Sequence, residues 1–201
     1  ANWFPFRSVS VILNSMDKIL ITIEKIKHLL SYIAHDMLEP AGYLPLGLIA
    51  GILFLIVMYI LKKFGLIQSK KSEPLRDLLL FLIIVYAAVL LKLAFFSREP
   101  GSRTTVDLTL FNTWGTTMQA HAFFVENIIM FIPFGILIPT AFPVMRNIFV
   151  CTLTALACSL CLEMFQLITG RGFCQLDDVV TNTLGAFIGY MVHRMWVVMH
   201  R

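Results

Sequence analysis

Long uncharged runs separated by short polar clusters set the pattern of this chain. Leu44 to Leu61 is apolar throughout and is closed by Lys62-Lys63. Leu78 to Leu91 is bracketed by Asp77 and Lys92, and reaches full length if Lys92 snorkels and the run continues to Phe96. A third run extends from Phe124 to Phe142, with Glu126 and Asn127 in its first turn. A fourth extends from Ile148 to Ile168 and carries Glu163 and Gln166 near its end. A fifth extends from Asp178 to Trp196. A bilayer core is crossed by roughly 20 apolar residues in a helix, so five transmembrane helices are predicted.

The N-terminal region has a different period. Ile12, Met16, Ile19, Leu20, Ile23, Ile26, Leu30, Ile33 and Met37 recur in steps of three and four, while Asp17, Lys18, Glu24, Lys25, Lys27 and His28 fill the opposite side. This predicts an amphipathic helix from Val9 to Met37, lying in the membrane interface or packed across the bundle. Glu39-Pro40-Ala41-Gly42 then breaks it. No removable signal peptide is expected, because the start lacks a basic region followed by an apolar stretch and a cleavage site. The fold class is thus all-α: a polytopic membrane helix bundle of about five transmembrane helices plus an N-terminal amphipathic helix. Its parts are residues 1–43 (amphipathic helix and linker), 44–94 (two transmembrane helices), 95–193 (an outer loop and three transmembrane helices) and 194–201 (a tail).

Composition agrees with lipid as the solvent. Of 201 residues, 58% are hydrophobic and 14% charged, which excludes an ordinary soluble enzyme and a disordered chain. The net charge of +4 does not imply nucleic acid, since the basic residues are not interleaved with aromatics on a polar face. Their distribution sets orientation instead. Lys62, Lys63, Lys70, Lys71 and Arg76 crowd one short loop, and Arg146, Arg194 and Arg201 fall on the same side. That side is predicted to be cytoplasmic, with the N-terminus outside and the C-terminus inside. The four cysteines are too sparse for a disulfide scaffold. Cys158-x-x-Cys161 lies within an apolar helix, where small packing residues are the expected role, and Cys174 has no partner on its own side.

Polar residues inside spans are costly and mark function by default. Parity places the entry of the third span, the exit of the fourth and the entry of the fifth on one side. Glu126 with Asn127, Glu163 with Gln166, and Asp177, Asp178 and Asn182 therefore share one depth. Glu163 and Gln166 occupy one helical face, as do Asp178 and Asn182. Gly185-x-x-x-Gly189 continues the latter face and permits close helix approach. These positions predict a pocket lined by Glu126, Glu163 and Asp178, open to the outer leaflet, with Arg171 and Arg98 or Arg103 as counter-ions. Pro133 within the third span predicts a kink. Three carboxyl groups in a dry site can ligate a hard cation or divide general acid and base roles between them, yet no nucleophile or metal motif specifies a reaction. A buried polar lock holding the three spans together is the structural alternative. His121 is expected to be a solvated loop residue.

Several stretches resemble the VanZ-like family, in matching order and spacing. They are Val106-Asp107-Leu108-Thr109-Leu110-Phe111, Glu126-Asn127-Ile128-Ile129-Met130-Phe131-Ile132-Pro133-Phe134-Gly135, Glu163-Met164-Phe165-Gln166, and Asp177-Asp178-Val179-Val180-Thr181-Asn182-Thr183-Leu184-Gly185-Ala186. The resemblance covers Phe95 to His193. Departures are Asp107, where the family usually has Asn, Leu110, where it has Pro, and Gln175, where an acid is common. Some members lack an acid at the position of Asp177, which favours Asp178 as the functional member of the pair.

The resemblance implies a Gram-positive cell-membrane protein that lowers susceptibility to lipoglycopeptides such as teicoplanin. It does not specify a reaction, and the cofactor, if any, is unknown from the sequence. Two function classes follow. In one, an outer-leaflet pocket binds membrane lipid, a lipid-linked cell-wall precursor or the lipoglycopeptide itself. In the other, an intramembrane enzyme modifies a lipid or cell-surface component with Glu126, Glu163 and Asp178. A transporter fits poorly with five spans lacking visible repeats.

Overall fold

The structure is a computed structural model that describes residues 5–67, 74–96, 101, 105–172 and 174–200, with side-chain placement from residue 14 onward. Its element order is α1 (Pro5–Asp36), α2 (Leu38–Gly42), α3 (Leu44–Lys63), α4 (Pro74–Leu91), β1 (Val106–Asp107), α5 (Met118–Ala141), α6 (Ile148–Thr169), β2 (Cys174–Gln175) and α7 (Leu176–Met199). A π-helical turn, Lys92–Phe96, extends α4, and a 3-10 turn, Pro143–Arg146, joins α5 to α6. The all-α expectation holds. The two short strands pair in parallel, Val106 with Cys174 and Asp107 with Gln175, and tie the loop before α5 to the loop before α7.

Boundaries follow local chemistry. Thr117 caps α5, its hydroxyl accepting from the Ala120 amide at 3.1 Å, so the helix starts ahead of the predicted apolar run. Asn147 caps α6 through the Phe149 and Val150 amides, and Gly170 closes α6 in the left-handed region at φ 62°. Pro133 and Pro139 both sit inside one uninterrupted α5. The predicted break at Glu39–Gly42 is shorter than expected: these residues form α2, because a proline in the first turn of a helix has no amide that needs an intrahelical acceptor. Lys92 donates to the Phe96 carbonyl at 3.1 Å and lies 5.4 Å from the centre of the Tyr43 ring, which settles its charge at the end of the extended α4.

Four described stretches are long and apolar enough to cross a membrane: Asn14–Lys63, Pro74–Phe96, Met118–Ala141 and Ile148–Thr169. The protein is a membrane protein on this ground, and its outward surfaces on α3 and α4 carry exposed leucine, isoleucine and valine. The fifth predicted span, α7, is not among the four, because Asp177, Asp178, Asn182, His193 and Arg194 dilute it. It nevertheless runs parallel to α5. Asn127 meets Asp178 at one end and Thr140 meets His193 at 3.0 Å at the other. From Asn127 to Thr140 is on the order of 20 Å of helix at about 1.5 Å per residue. A Cβ on Gly185 would stand 2.1 Å from the Ile128 carbonyl oxygen, and one on Gly189 would stand 2.1 Å from that of Ile132. Backbone-to-backbone contact of this kind holds α5 and α7 together as the centre of the bundle.

The core lies between α5, α6 and α7, with Phe131, Phe134, Cys151, Ala155, Ala186 and Tyr190 packed together. α4 joins it through the Tyr86 hydroxyl, which donates to the Met130 carbonyl at 3.0 Å. α3 pairs with α4, and the Lys62–Asp77 ion pair at 2.9 Å fastens their adjoining ends. α1 is exposed along most of its described length, and its last turns pack on α5.

Candidate functional site

α5, α6 and α7 bring their polar residues to one end of the bundle. There they line a cavity of about 950 Å³. α5 contributes Glu126 and Asn127, α6 contributes Glu163 and Gln166, and α7 contributes Asp178 and Asn182. The i,i+3 spacing of Glu163 and Gln166 and the i,i+4 spacing of Asp178 and Asn182 put each of these pairs on the face its helix turns to the cavity, while Glu126 and the adjacent Asn127 reach it from two sides of α5. The rest of the wall is apolar, with Leu90 and Leu93 from the α4 region, Phe123, Phe124 and Met130 from α5, and Leu162 from α6.

Asp36, Glu39 and His35 complete the lining from the end of α1 and from α2. Asp36 faces Glu126 within hydrogen-bonding reach. Sequence reasoning missed these three. The periodicity of α1 identifies its apolar side but not which helix the last turn meets.

The amides are held by their nitrogen ends. Gln166 Nε2 donates to the Ala94 carbonyl at 3.3 Å, and Asn182 Nδ2 donates to Ser159 Oγ at 2.9 Å. Asn127 Nδ2 donates to Asp178 Oδ1 at 2.8 Å, and Glu163 Oε2 accepts the Gln175 backbone amide at 3.0 Å. Five buried side-chain oxygens have no hydrogen-bond partner among the described residues; Thr152 Oγ1 is one, and the other four belong to cavity-lining residues: Asp36 Oδ2, Glu126 Oε1, Gln166 Oε1 and Asn182 Oδ1. All four are acceptors. Among the described residues no three of His, Cys, Asp and Glu are close enough together to hold a metal ion.

Other predicted site residues stand elsewhere. Asp177 is turned away from the cavity and holds the preceding loop: Oδ1 accepts the Phe111 amide at 2.6 Å, and Oδ2 accepts the Thr113 amide at 2.8 Å and its hydroxyl at 2.6 Å. Adjacent positions on a helix point about 100° apart, so one carboxyl of the pair faces the cavity and the other faces the loop. Arg171 is not among the lining residues; it donates to the Phe95 carbonyl at 2.6 Å and lies 5.9 Å from the centre of the Phe96 ring. Arg98 and Arg103 lie outside the described residues.

His121, expected in solvent, lies tilted against Trp114 at 4.2 Å between ring centres, and Trp114 meets Phe124 edge-on at 5.1 Å. Cys158 and Cys161 are both exposed and only Cys151 packs in the core, so the small-packing role expected for the pair applies to neither.

The loop over the cavity is built on Asp107. Its Oδ1 accepts the Thr109 amide at 3.0 Å and its Oδ2 accepts from Asn112. These bonds, that from Asn112 first, hold the Asp107 carboxyl below its ordinary range. Phe111, which follows, has φ 61°, and its ring stacks on Phe124. Cys174 in β2 titrates above the ordinary thiol range, because burial disfavours the thiolate and Glu163 and Asp178 oppose a further negative charge.

The family pattern of VanZ/LLP1 matches residues 78–197, a stretch that includes α5, α6 and α7 and therefore most of the cavity. The chain belongs to the VanZ/LLP1 family. Protein VanZ of Enterococcus faecium is 31% identical over 122 residues, covering 58% of this chain and 70% of that protein. No solved structure matches the chain. The Asp107 Oδ1 that accepts the Thr109 amide is an atom that Asn also carries at that position of the side chain. α1 and α2, which carry Asp36 and Glu39, lie outside the residues that the family pattern matches.

Proposed function

We propose that this VanZ-like protein lowers susceptibility to lipoglycopeptide antibiotics such as teicoplanin by holding a lipidated or lipid-linked ligand in the cavity between α1, α5, α6 and α7. The cavity end of the bundle faces outward, with the N-terminus outside and the C-terminus in the cytoplasm. The observation that carries this reading is the composition of one wall system: carboxyl and amide groups from three helices meet leucine, phenylalanine and methionine around about 950 Å³. An amphiphile places its polar end on the first set and its chain along the second. Teicoplanin-type drugs carry an acyl chain that vancomycin lacks, so a site at this depth discriminates between them.

The test is a susceptibility series in a sensitive host. Glu126→Gln, Glu163→Gln and Asp178→Asn are expected to lose protection against teicoplanin while reaching wild-type levels in the membrane. Three variants that express and protect like wild type reduce the cavity to a packing feature.

A further inference from the structure

The cavity lining contains five carboxyl groups, on Asp36, Glu39, Glu126, Glu163 and Asp178, and His35 is its one basic side chain among the described residues. Acidic clusters alone identify nothing. Here a second feature is independent of charge. Glu126, Gln166 and Asn182 are 7%, 5% and 5% exposed, and each lines the cavity with an oxygen that lacks a donor. Gln166 cannot turn its amide around without placing an oxygen against the Ala94 carbonyl. Asp36 Oδ2 adds a fourth unpaired acceptor beside Glu126.

A buried acceptor without a donor is a standing cost that a ligand removes only by bringing donors. A phosphate or carboxylate head brings more acceptors and more negative charge. A primary ammonium brings three N–H donors, no acceptor and a positive charge. We infer that the cavity, if it holds an amphiphile as proposed above, selects one whose head is a protonated amine, seated among Glu126, Asp36, Gln166 and Asn182 with its apolar chain against Leu93, Phe123 and Met130. The class includes amine-bearing membrane lipids and amine-bearing lipidated compounds arriving from outside. It excludes an amphiphile that presents only phosphate to these four unpaired acceptors.

Full-length protein in phosphatidylcholine vesicles, titrated with dodecylammonium and with dodecyl phosphate against protein-free vesicles, tests this. Dodecylammonium is expected to bind saturably and at least tenfold more tightly than dodecyl phosphate. Glu126→Gln, which keeps size and shape, and Gln166→Leu, which removes one unpaired acceptor, are each expected to weaken it severalfold or more. Retained helicity by circular dichroism confirms that each variant is folded. Dodecyl phosphate bound as tightly as dodecylammonium, with both lost in the variants, overturns the amine preference and leaves an amphiphile pocket. Binding of neither probe overturns the pocket as well. Ammonium binding unaffected by either variant overturns the assignment to this cavity. Replacing half the phosphatidylcholine by phosphatidylethanolamine separates the sources: competition assigns the amine to a resident lipid, and unchanged affinity assigns it to an external amphiphile.

Discussion

Asn127 on α5 donates through Nδ2 to Asp178 Oδ1 on α7 at 2.8 Å, joining two parallel helices at the floor of the cavity. Its consequences for stability and for charge separate cleanly. Asp178→Asn retains an oxygen that accepts from Asn127, so α5 and α7 stay fastened while the carboxylate is lost. Asn127→Ala removes the donor and with it the bond that joins the two helices here. The second change is expected to lower stability by about 1–3 kcal/mol and the first by under about 1 kcal/mol. Thermal unfolding in detergent ranks them, and the reverse order contradicts the hydrogen-bond geometry.

Asp177 predicts a different outcome from its neighbour. Its carboxylate holds Phe111 and Thr113 by three bonds, so Asp177→Ala frees the loop between β1 and α5. The loss is on the order of 2–4 kcal/mol, since charge-assisted bonds are removed and two backbone amides lose their acceptors. Hydrogen exchange at the Phe111 and Thr113 amides should rise sharply. Asp178→Asn should leave those two amides protected.

Close approach of α5 and α7 leaves no room for added atoms. A Cβ at Gly135 would lie 2.0 Å from the Ala186 carbonyl oxygen, and at Gly185 it would lie 2.1 Å from that of Ile128. Gly185→Ala and Gly135→Ala are each expected to destabilise the bundle by about 1–3 kcal/mol or more, because backbone cannot rotate aside as a side chain can. Unchanged melting temperatures would show that the helices lie farther apart.

Cys174 reports the field of the acid wall from outside the spans. Its thiol titrates high because of burial first, then Glu163 and Asp178. With Cys158 and Cys161 replaced by Ser, alkylation of Cys174 should be slow at neutral pH and accelerate as pH rises above the ordinary thiol range. Glu163→Gln or Asp178→Asn should speed it by a factor of a few at fixed pH, as removing a negative neighbour favours the thiolate. A membrane-impermeant maleimide applied to intact cells should reach Cys174 if the cavity end faces outward. Labelling that needs permeabilised cells reverses the proposed orientation.

Order in the Asp107 loop should depend on acid. The Asp107 carboxyl is held below its unfolded value, so its contribution is fully present above roughly pH 4, the unfolded carboxylate range, and is lost as pH falls through the lower folded value. Exchange of the Thr109 amide should increase over that window. In Asp107→Asn, which keeps Oδ1 and cannot titrate, it should not.

Hydrophobic runs and their boundary charges determined the helical class and where the long helices lie, though not the start of α5 at Met118, which the Thr117 cap sets. Helix spacing and parity were enough to place Glu126, Asn127, Glu163, Gln166, Asp178 and Asn182 at one depth, because a chain crossing lipid has only two sides to return to. Three things depended on packing. Residues that share a depth can still face apart, and only the rotation of α7 against α5, set where Gly185 and Gly189 meet carbonyl oxygens, turned Asp178 to the cavity and Asp177 to the loop. Arg171 donates to the Phe95 carbonyl because the π-helical turn after α4 presents that carbonyl beside it, a local geometry that helix spacing does not reveal. Asp36 reached Glu126 because α1 folds back onto α5. An amphipathic stripe records that a helix has an apolar side; which neighbour covers it is decided by the competition of all the faces in the bundle.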